Sequence, residues 1–486
     1  MLARAMTRLE RRRWFRRVFW EIEREGAQLR IRSGRVGEPG SVQLETLADE
    51  YAAKVRRERL VNRQLGAGWL LAEGSLRYEP DFLDFEQLIA CCSFSAQEWT
   101  TTEFGARQAL RGPDPDYLMP PGSLARNPAL EAQVIASDDD ADWRVYADWL
   151  ASQGDPLGGH INACMDGSEQ PELAAELRPL WLGEAFCARI AECARACYAF
   201  EWRRGFIHRA WVSVGWDLGR DLPELLAPLL DSPAARFLRE LQIGLAEGED
   251  INRYDELARF FRSRPPLPSI EQLFVGAFAY PSQTEISWTE VGDISGLPAC
   301  FPRLRAYGVR GSLVELGALE HEHIERLVLE SGGLNLDAVQ SVMGAKLPKL
   351  RELELWLGDE GYGAEANIRD LEPLFAGRFE GLEVLGLRNC EFSDAIVEAL
   401  IHSPLLPRLR TLDLSMGTLR TPGALLLVEH SARFAHLERL NLDENFLLPE
   451  QIELLRERLP MASCEQQDQP YTSPDHAPHY YVSVGE

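Results

Sequence analysis

Apolar residues in the second half of this 486-residue chain fall into one recurring spacing. Leu437-x-x-Leu440-x-Leu442-x-x-Asn445 is followed by Pro449 to Leu459, a stretch that sets Ile452, Leu455 and Leu459 on one helical face. The same core recurs upstream at Leu409/Leu412/Leu414, Leu382/Leu385/Leu387, Leu350/Leu353/Leu355 and Ile324/Leu327/Leu329, with starts 28, 27, 32 and 26 residues apart. Weaker copies at Leu304/Tyr307/Val309, Ile270/Leu273/Val275 and Leu238/Leu241/Ile243 follow at 20, 34 and 32 residues. Residues two apart on a strand share a face, so each core predicts a short strand with its leucines buried, and the stretch after it predicts a helix.

Internal repetition of this kind is a sign of repeat architectures. The pattern resembles the leucine-rich-repeat family, and the resemblance implies an α/β fold: a C-terminal solenoid with a strand and a helix in each repeat. The family's turn-bonding position holds Asn445 and Cys390 in two units, while Gly417, Gly358, Gly332 and Ser312 stand there in others. Partner contacts are then expected on strand residues facing away from the core: Arg326, Arg351, Glu352, Glu354, Arg410, Asp413, Arg439 and Asn441, with Trp356 just past a strand end. The plain alternative is a solvated sheet face with cross-strand Glu/Arg pairs, each worth a few tenths of a kcal/mol, or about that.

Between Leu130 and Val214 the pattern predicts helices over Leu130 to Ile135, Asp142 to Gln153 and Pro171 to Trp202. The phrase Ser137-Asp-Asp-Asp-Ala-Asp-Trp-Arg-Val-Tyr-Ala-Asp-Trp-Leu150, with Gly154-Asp-Pro156 after it, resembles a short companion domain that accompanies leucine-rich repeats in bacterial proteins. Phe200-Glu-Trp-Arg-Arg-Gly-Phe206 resembles the strand that leads into such repeats. Asp138, Asp139, Asp140, Asp142 and Asp148 lack the glycine and terminal glutamate of a calcium loop. Acidic residues in a first helical turn are favoured by capping and by the macrodipole, and Asp148 and Asp155 are expected to cap or bridge helices.

At the other end, Phe15 to Glu23 and Gln28 to Ser33 alternate as strands around Gly26, Arg35 to Gly40 is a tight loop, and Leu47 to Leu60 is helical. Phe19-Trp-Glu-Ile22, Gly26, Arg32, Gly34-Arg-Val-Gly37 and Gly40 resemble a WGR domain, a small α+β module named for a Trp-Gly-Arg motif. Ser33 occupies the tryptophan position, while the glycine and arginine stand at Gly34 and Arg35. The resemblance implies nucleic-acid contact through Arg32, Arg35 and the helix residues Lys54, Arg56, Arg57 and Arg59, without the base-stacking ring.

Charge sharpens this division. Residues 1–66 carry sixteen Lys/Arg against nine Asp/Glu, a net +7, although the whole chain stands at -25. An acidic remainder repels phosphate, so any nucleic-acid contact is expected within residues 1–66, with proteins or basic peptides as partners elsewhere. Nine irregularly spaced cysteines fit reduced thiols and no metal site; no apolar run is long enough to span a membrane, and a cytoplasmic protein is expected. No phosphate loop, paired metal histidines or nucleophile elbow occurs, so no catalytic residue, cofactor, small-molecule substrate or membrane partner is expected.

The segments are thus a WGR-like module over 1–69, a linker of unknown fold over 70–127, a helical companion region over 128–214, the solenoid over 215–460 and a tail or cap over 461–486. The function these imply is a non-enzymatic scaffold or sensor in which the repeats hold one protein and the basic module a second partner. Two alternatives stand beside it: a DNA-associated regulator, and a held substrate or inhibitor of a protease or toxin in bacterial defence.

Overall fold

A computed structural model describes residues 6–13, 16–25, 27–35, 41–47, 70–71, 125–167, 181–192, 197–214, 221–246, 251–254, 256–278, 280–281, 283–473 and 476–485. The chain folds as two compact units, residues 1–213 with 224–238, and residues 214–223 with 239–486.

The first unit opens with an antiparallel sheet of β1 (Met6–Arg13), β2 (Arg16–Glu25), β3 (Gln28–Arg35), β4 (Ser41–Thr46) and β5 (Leu70–Leu71), in the order β4-β3-β2-β1-β5. Phe19, Trp20 and Ile22 of β2 and Leu29 of β3 are buried. Three helices follow: α1 (Pro128–Ser137), α2 (Asp140–Ser152) and α3 (Pro156–Met165). Asp139 starts α2 by accepting a bond from the Ala141 amide, and Asp155 starts α3 by accepting from Leu157. Pro156 sits in the first turn, where a missing N–H costs nothing. Asp148 accepts from Asn162 Nδ2 and so bridges α2 to α3. Trp143, Tyr146, Ala147 and Leu150 form the buried stripe of α2. Trp143 meets Phe206 and Phe237 at ring distances of 5.8 and 4.8 Å.

The expected helix from Pro171 to Trp202 is corrected. Within the described residues it contains the helix Glu184–Glu192 and then a strand, β6 (Tyr198–Arg203), paired antiparallel with β7 (Phe206–Val212). The region expected to be helical over 128–214 is therefore mixed. Arg204, at φ 54, and Gly205, at φ 81, make the turn of this hairpin. A Cβ on Gly205 would come within 2.7 Å of Leu157, so glycine is needed for space as well as for backbone.

In the second unit β8 (Glu240–Ile243), β9 (Asn252–Arg253), β10 (Gln272–Val275), β11 (Thr289–Asp293), β12 (Ala306–Arg310), β13 (Ser312–Glu315), β14 (Arg326–Glu330), β15 (Glu352–Gly358), β16 (Val384–Cys390), β17 (Thr411–Asp413), β18 (Arg439–Asn441) and β19 (Ala462–Ser463) follow in turn. β8, β10, β12 and β14 to β19 are neighbours in that order, all parallel. Leu327, Leu353, Leu385, Leu412 and Leu440 stand in one register across them and are buried. β9, β11 and β13 make a separate parallel sheet, and β20 (Tyr471–Ser473) with β21 (His476–His479) a short hairpin.

The leucine-rich-repeat solenoid expected over 215–460 is overturned by this topology. Among the described residues the large sheet of this unit has nine strands, all parallel, with helices beside it: an α/β sheet fold in place of repeated strand-and-helix units. The links between its strands do not repeat. From β12 to β14 the chain forms β13 where a helix was expected, and from β10 to β12 it forms β11. From β15 to β16 it forms 3-10 turns and the one-turn helix Glu372–Phe375, whereas Leu336–Gly344 and Ser393–His402 are full helices. The physical reason is that apolar alternation reports a strand buried on its inner side, which any well-covered parallel sheet shows; it carries no information about the connection that follows.

Candidate nucleic-acid interface

In an antiparallel pair, residues directly opposite one another point to the same side. Arg32 faces Glu21 on β2 and Val42 on β4; Arg30 faces Glu23 and Leu44. One side of this small sheet thus carries Arg30, Arg32, Val42 and Leu44, of which Val42 and Leu44 are 51% and 69% exposed. Two apolar side chains held in water beside two guanidiniums make an amphipathic strip that can lie on a sugar-phosphate edge or on another protein.

The arginines are not equally available. Arg32 lies 2.6 Å from Glu21, which is buried, and its guanidinium caps the Phe19 ring at 5.0 Å. The hydrogen bond that Arg32 donates to the Glu21 carboxylate raises the Arg32 pKa further above its ordinary value, so the guanidinium stays charged. Arg30 reaches Glu23 only at 3.8 Å with a half-exposed side chain. Arg35 ends β3, opposite Val18, with Gly34 before it opposite Phe19. Ser33, opposite Trp20 and Ser41, is half-buried, and its carbonyl accepts a bond from Ser41 Oγ. Lys54, Arg56, Arg57 and Arg59 lie outside the described residues. Arg30, Val42 and Leu44 escaped the sequence reading, although counting back by two from Arg32 reaches Arg30.

On the second unit, the residues expected to hold a protein partner lie on one sheet side and largely engage one another. Arg326 pairs with Glu352 at 3.3 Å, Arg351 with Glu383 at 2.9 Å, and Arg410 with Glu438 at 2.7 Å. Glu354 accepts from Arg388 at 2.8 Å and from Trp356 Nε1 at 2.7 Å. Asp413 accepts from Asn441 Nδ2 at 2.9 Å, while Arg439 is exposed. Trp356 is buried, with Arg388 stacked 4.9 Å over its ring, so it is part of the packing of this face.

The aspartates of the middle region are used within the first unit. Asp138 accepts from Trp143 Nε1 and Arg203, each at 2.7 Å, and Asp140 pairs with Arg204. Buried Glu131 takes Arg126 at 2.7 Å and Arg236 at 3.4 Å, and Arg236 donates to the Tyr146 hydroxyl, whose pKa burial pushes up to about 12. Such buried charges stand only when paired.

Residues 6–75 match the WGR domain family. No curated protein matches the chain. Among solved structures, a protein from Bacteroides fragilis is similar at 19% identity and a TM-score of 0.48, over 99% of this chain and 100% of that one. Among the described residues no helix is long and apolar enough to cross a membrane.

Proposed function

We propose that this protein is a non-catalytic adaptor that grips nucleic acid through its WGR domain and a protein through the charged side of its parallel sheet. The observation that carries the reading is the WGR match over residues 6–75, with Gly34-Arg35 at the end of β3. WGR domains are known as nucleic-acid-binding modules. Ser33 in the motif position removes a ring on which a base would stack, so the grip is read as one of phosphate contacts and should be strongly salt-dependent.

Gel-shift titration with a short nicked duplex at several salt concentrations tests this. Arg35→Glu is expected to weaken binding about equally on all sequences and to reduce the salt slope by about one. Equal affinity of the wild-type and Arg35→Glu chains at low salt would remove nucleic acid from the proposal.

A second reading, a protein contact on the small antiparallel sheet itself, is favoured by one feature. Glu21 and Glu23 neutralise Arg32 and Arg30, and the strip between them is apolar at Val42 and Leu44. Should DNA fail to bind, that strip remains as a protein contact, and co-purification of a partner that survives high salt supports it.

A further inference from the structure

Residues 480–485 cross the second unit as an extended segment that belongs to no sheet. Its side chains alternate: Tyr481 and Ser483 face solvent, whereas Val482 and Val484 are buried at 7% and 5% exposure. Among the described residues three bonds to its backbone hold it. Ser483 N donates to the Met416 carbonyl at 3.0 Å. Asn389 then takes both backbone groups of one residue, accepting from Val484 N at 2.9 Å and donating to Val484 O at 2.6 Å. This amide is fully buried and sits at φ 50, a conformation asparagine adopts more readily than most residues.

The seat is shaped for an extended chain. Val484 enters an apolar cluster of Leu245, Phe278, Ile286, Trp356 and Met416. Beyond it the backbone runs between two surfaces that admit no side chain. A Cβ on Gly332 would stand 2.1 Å from the Gly485 carbonyl, and one on Gly485 would stand 2.5 Å from the Tyr362 ring. At the other end Tyr480 lies under Arg420 at 4.9 Å and against Phe446 at 5.0 Å. These are the parts of a peptide site: a backbone-reading amide, an apolar pocket for one side chain, a glycine gate after it and an aromatic anchor before it.

We propose that this groove is a binding site for an extended peptide of the form aromatic-x-Val-x-Val-Gly, that residues 480–485 fill it in cis, and that a partner protein carrying such a segment displaces them. The occupant is identified by the segment already seated. Asn389 reads backbone without regard to sequence, so specificity rests on the valine pocket and the glycine gate. A sheet strand bonds along its whole length to two neighbours, whereas this strap is fixed at a few points, and elements of that kind open locally at low cost. The inference is independent of the nucleic-acid reading.

The test uses the full chain and a fluorescent nonapeptide of residues 478–486, followed by anisotropy. Cis occupancy lowers apparent affinity by the fraction of empty grooves, so Val484→Asp, which releases the strap, should bind the peptide at least ~10-fold tighter than wild type. Adding Asn389→Ala to Val484→Asp should abolish that gain. A cooperatively folded Val484→Asp chain that binds no peptide overturns the proposal. If Val484→Asp fails to fold, hydrogen exchange on the wild-type chain decides. Ser483 and Val484 amides exchanging about 100-fold faster than that of Leu412 support a strap that opens; equal protection makes it a fixed part of the fold and overturns the proposal.

Discussion

Two rows of Arg/Glu contacts cross the parallel sheet of the second unit, and the same chemistry has opposite meaning in each. At the leading ends of the strands Arg239, Glu271, Arg305, Glu325, Arg351, Glu383, Arg410 and Glu438 are successive backbone neighbours, and their charges alternate without a break. Most of these side chains face water: Arg351 is 62% exposed and Glu383 37%. Five residues further along β14, Glu330 faces Arg310 at 2.5 Å, with exposures of 0% and 1%. The first row lies in high dielectric, where an ion pair returns little and is screened by salt. The second has been taken out of water, where each charge is tolerable only because of the other. What separates them is solvent, since residue types and strand spacing are the same.

Breaking the buried pair should have the largest effect. Arg310 also donates to the Phe278 carbonyl and lies 5.5 Å over that ring, so its removal strands Glu330 and loosens the cluster around Phe278. Arg310→Ala is expected to cost about 3–5 kcal/mol in urea unfolding. Arg310→Ala with Glu330→Leu, which removes both charges, should recover a large part of that loss. A double variant no more stable than the single one would show that shape, and not the unpaired carboxylate, sets the cost.

The same pair gives a pH dependence that the exposed row lacks. Burial, resisted by Arg310, pushes the Glu330 carboxyl up to about 7 from its ordinary 4.5. Between those values the folded chain binds a proton the unfolded chain does not, so this residue's contribution to stability is present below pH 4.5 and is lost as pH rises to about 7. Urea titrations of wild type should therefore show a falling component across that window that is absent in Glu330→Gln. Parallel pH profiles for the two chains would place the pair in contact with water after all.

How much of this was legible beforehand follows the range of the interaction. Asp139 and Asp155 cap helices within two residues of themselves, and such local bonding leaves a mark in sequence. Strands at Leu327, Leu353, Leu385, Leu412 and Leu440 were legible because burial of one side imposes a period of two. The links between them were not: β11 and β13 occupy intervals where a helix was expected, because no periodicity in the strands constrains what joins them. β1 was missed because Arg8, Arg11, Arg12 and Arg13 give it no apolar alternation; it is a strand through its pairing with β2. The WGR motif was legible at Gly34-Arg35, yet the Arg32 to Glu21 pair beside it depends on strand register. Asn389 could not have been found at all, since it meets Val484 from 95 positions away.

The exposed row should give the smallest effect, and its salt response is the sharper half of the comparison. Arg351→Glu would set three acidic residues side by side, at 325, 351 and 383, where alternation now keeps every neighbour opposite in sign. In high dielectric the penalty should be no more than about 1 kcal/mol, and long side chains will swing apart to reduce it. Raising ionic strength from about 0.01 to 1 M shortens the screening length from about 30 to about 3 Å, so most of that penalty should vanish, while the cost of Arg310→Ala should persist. A salt-insensitive loss of several kcal/mol at Arg351 would mean that the leading edge is covered in solution, which is what a protein seated on this side of the sheet would do.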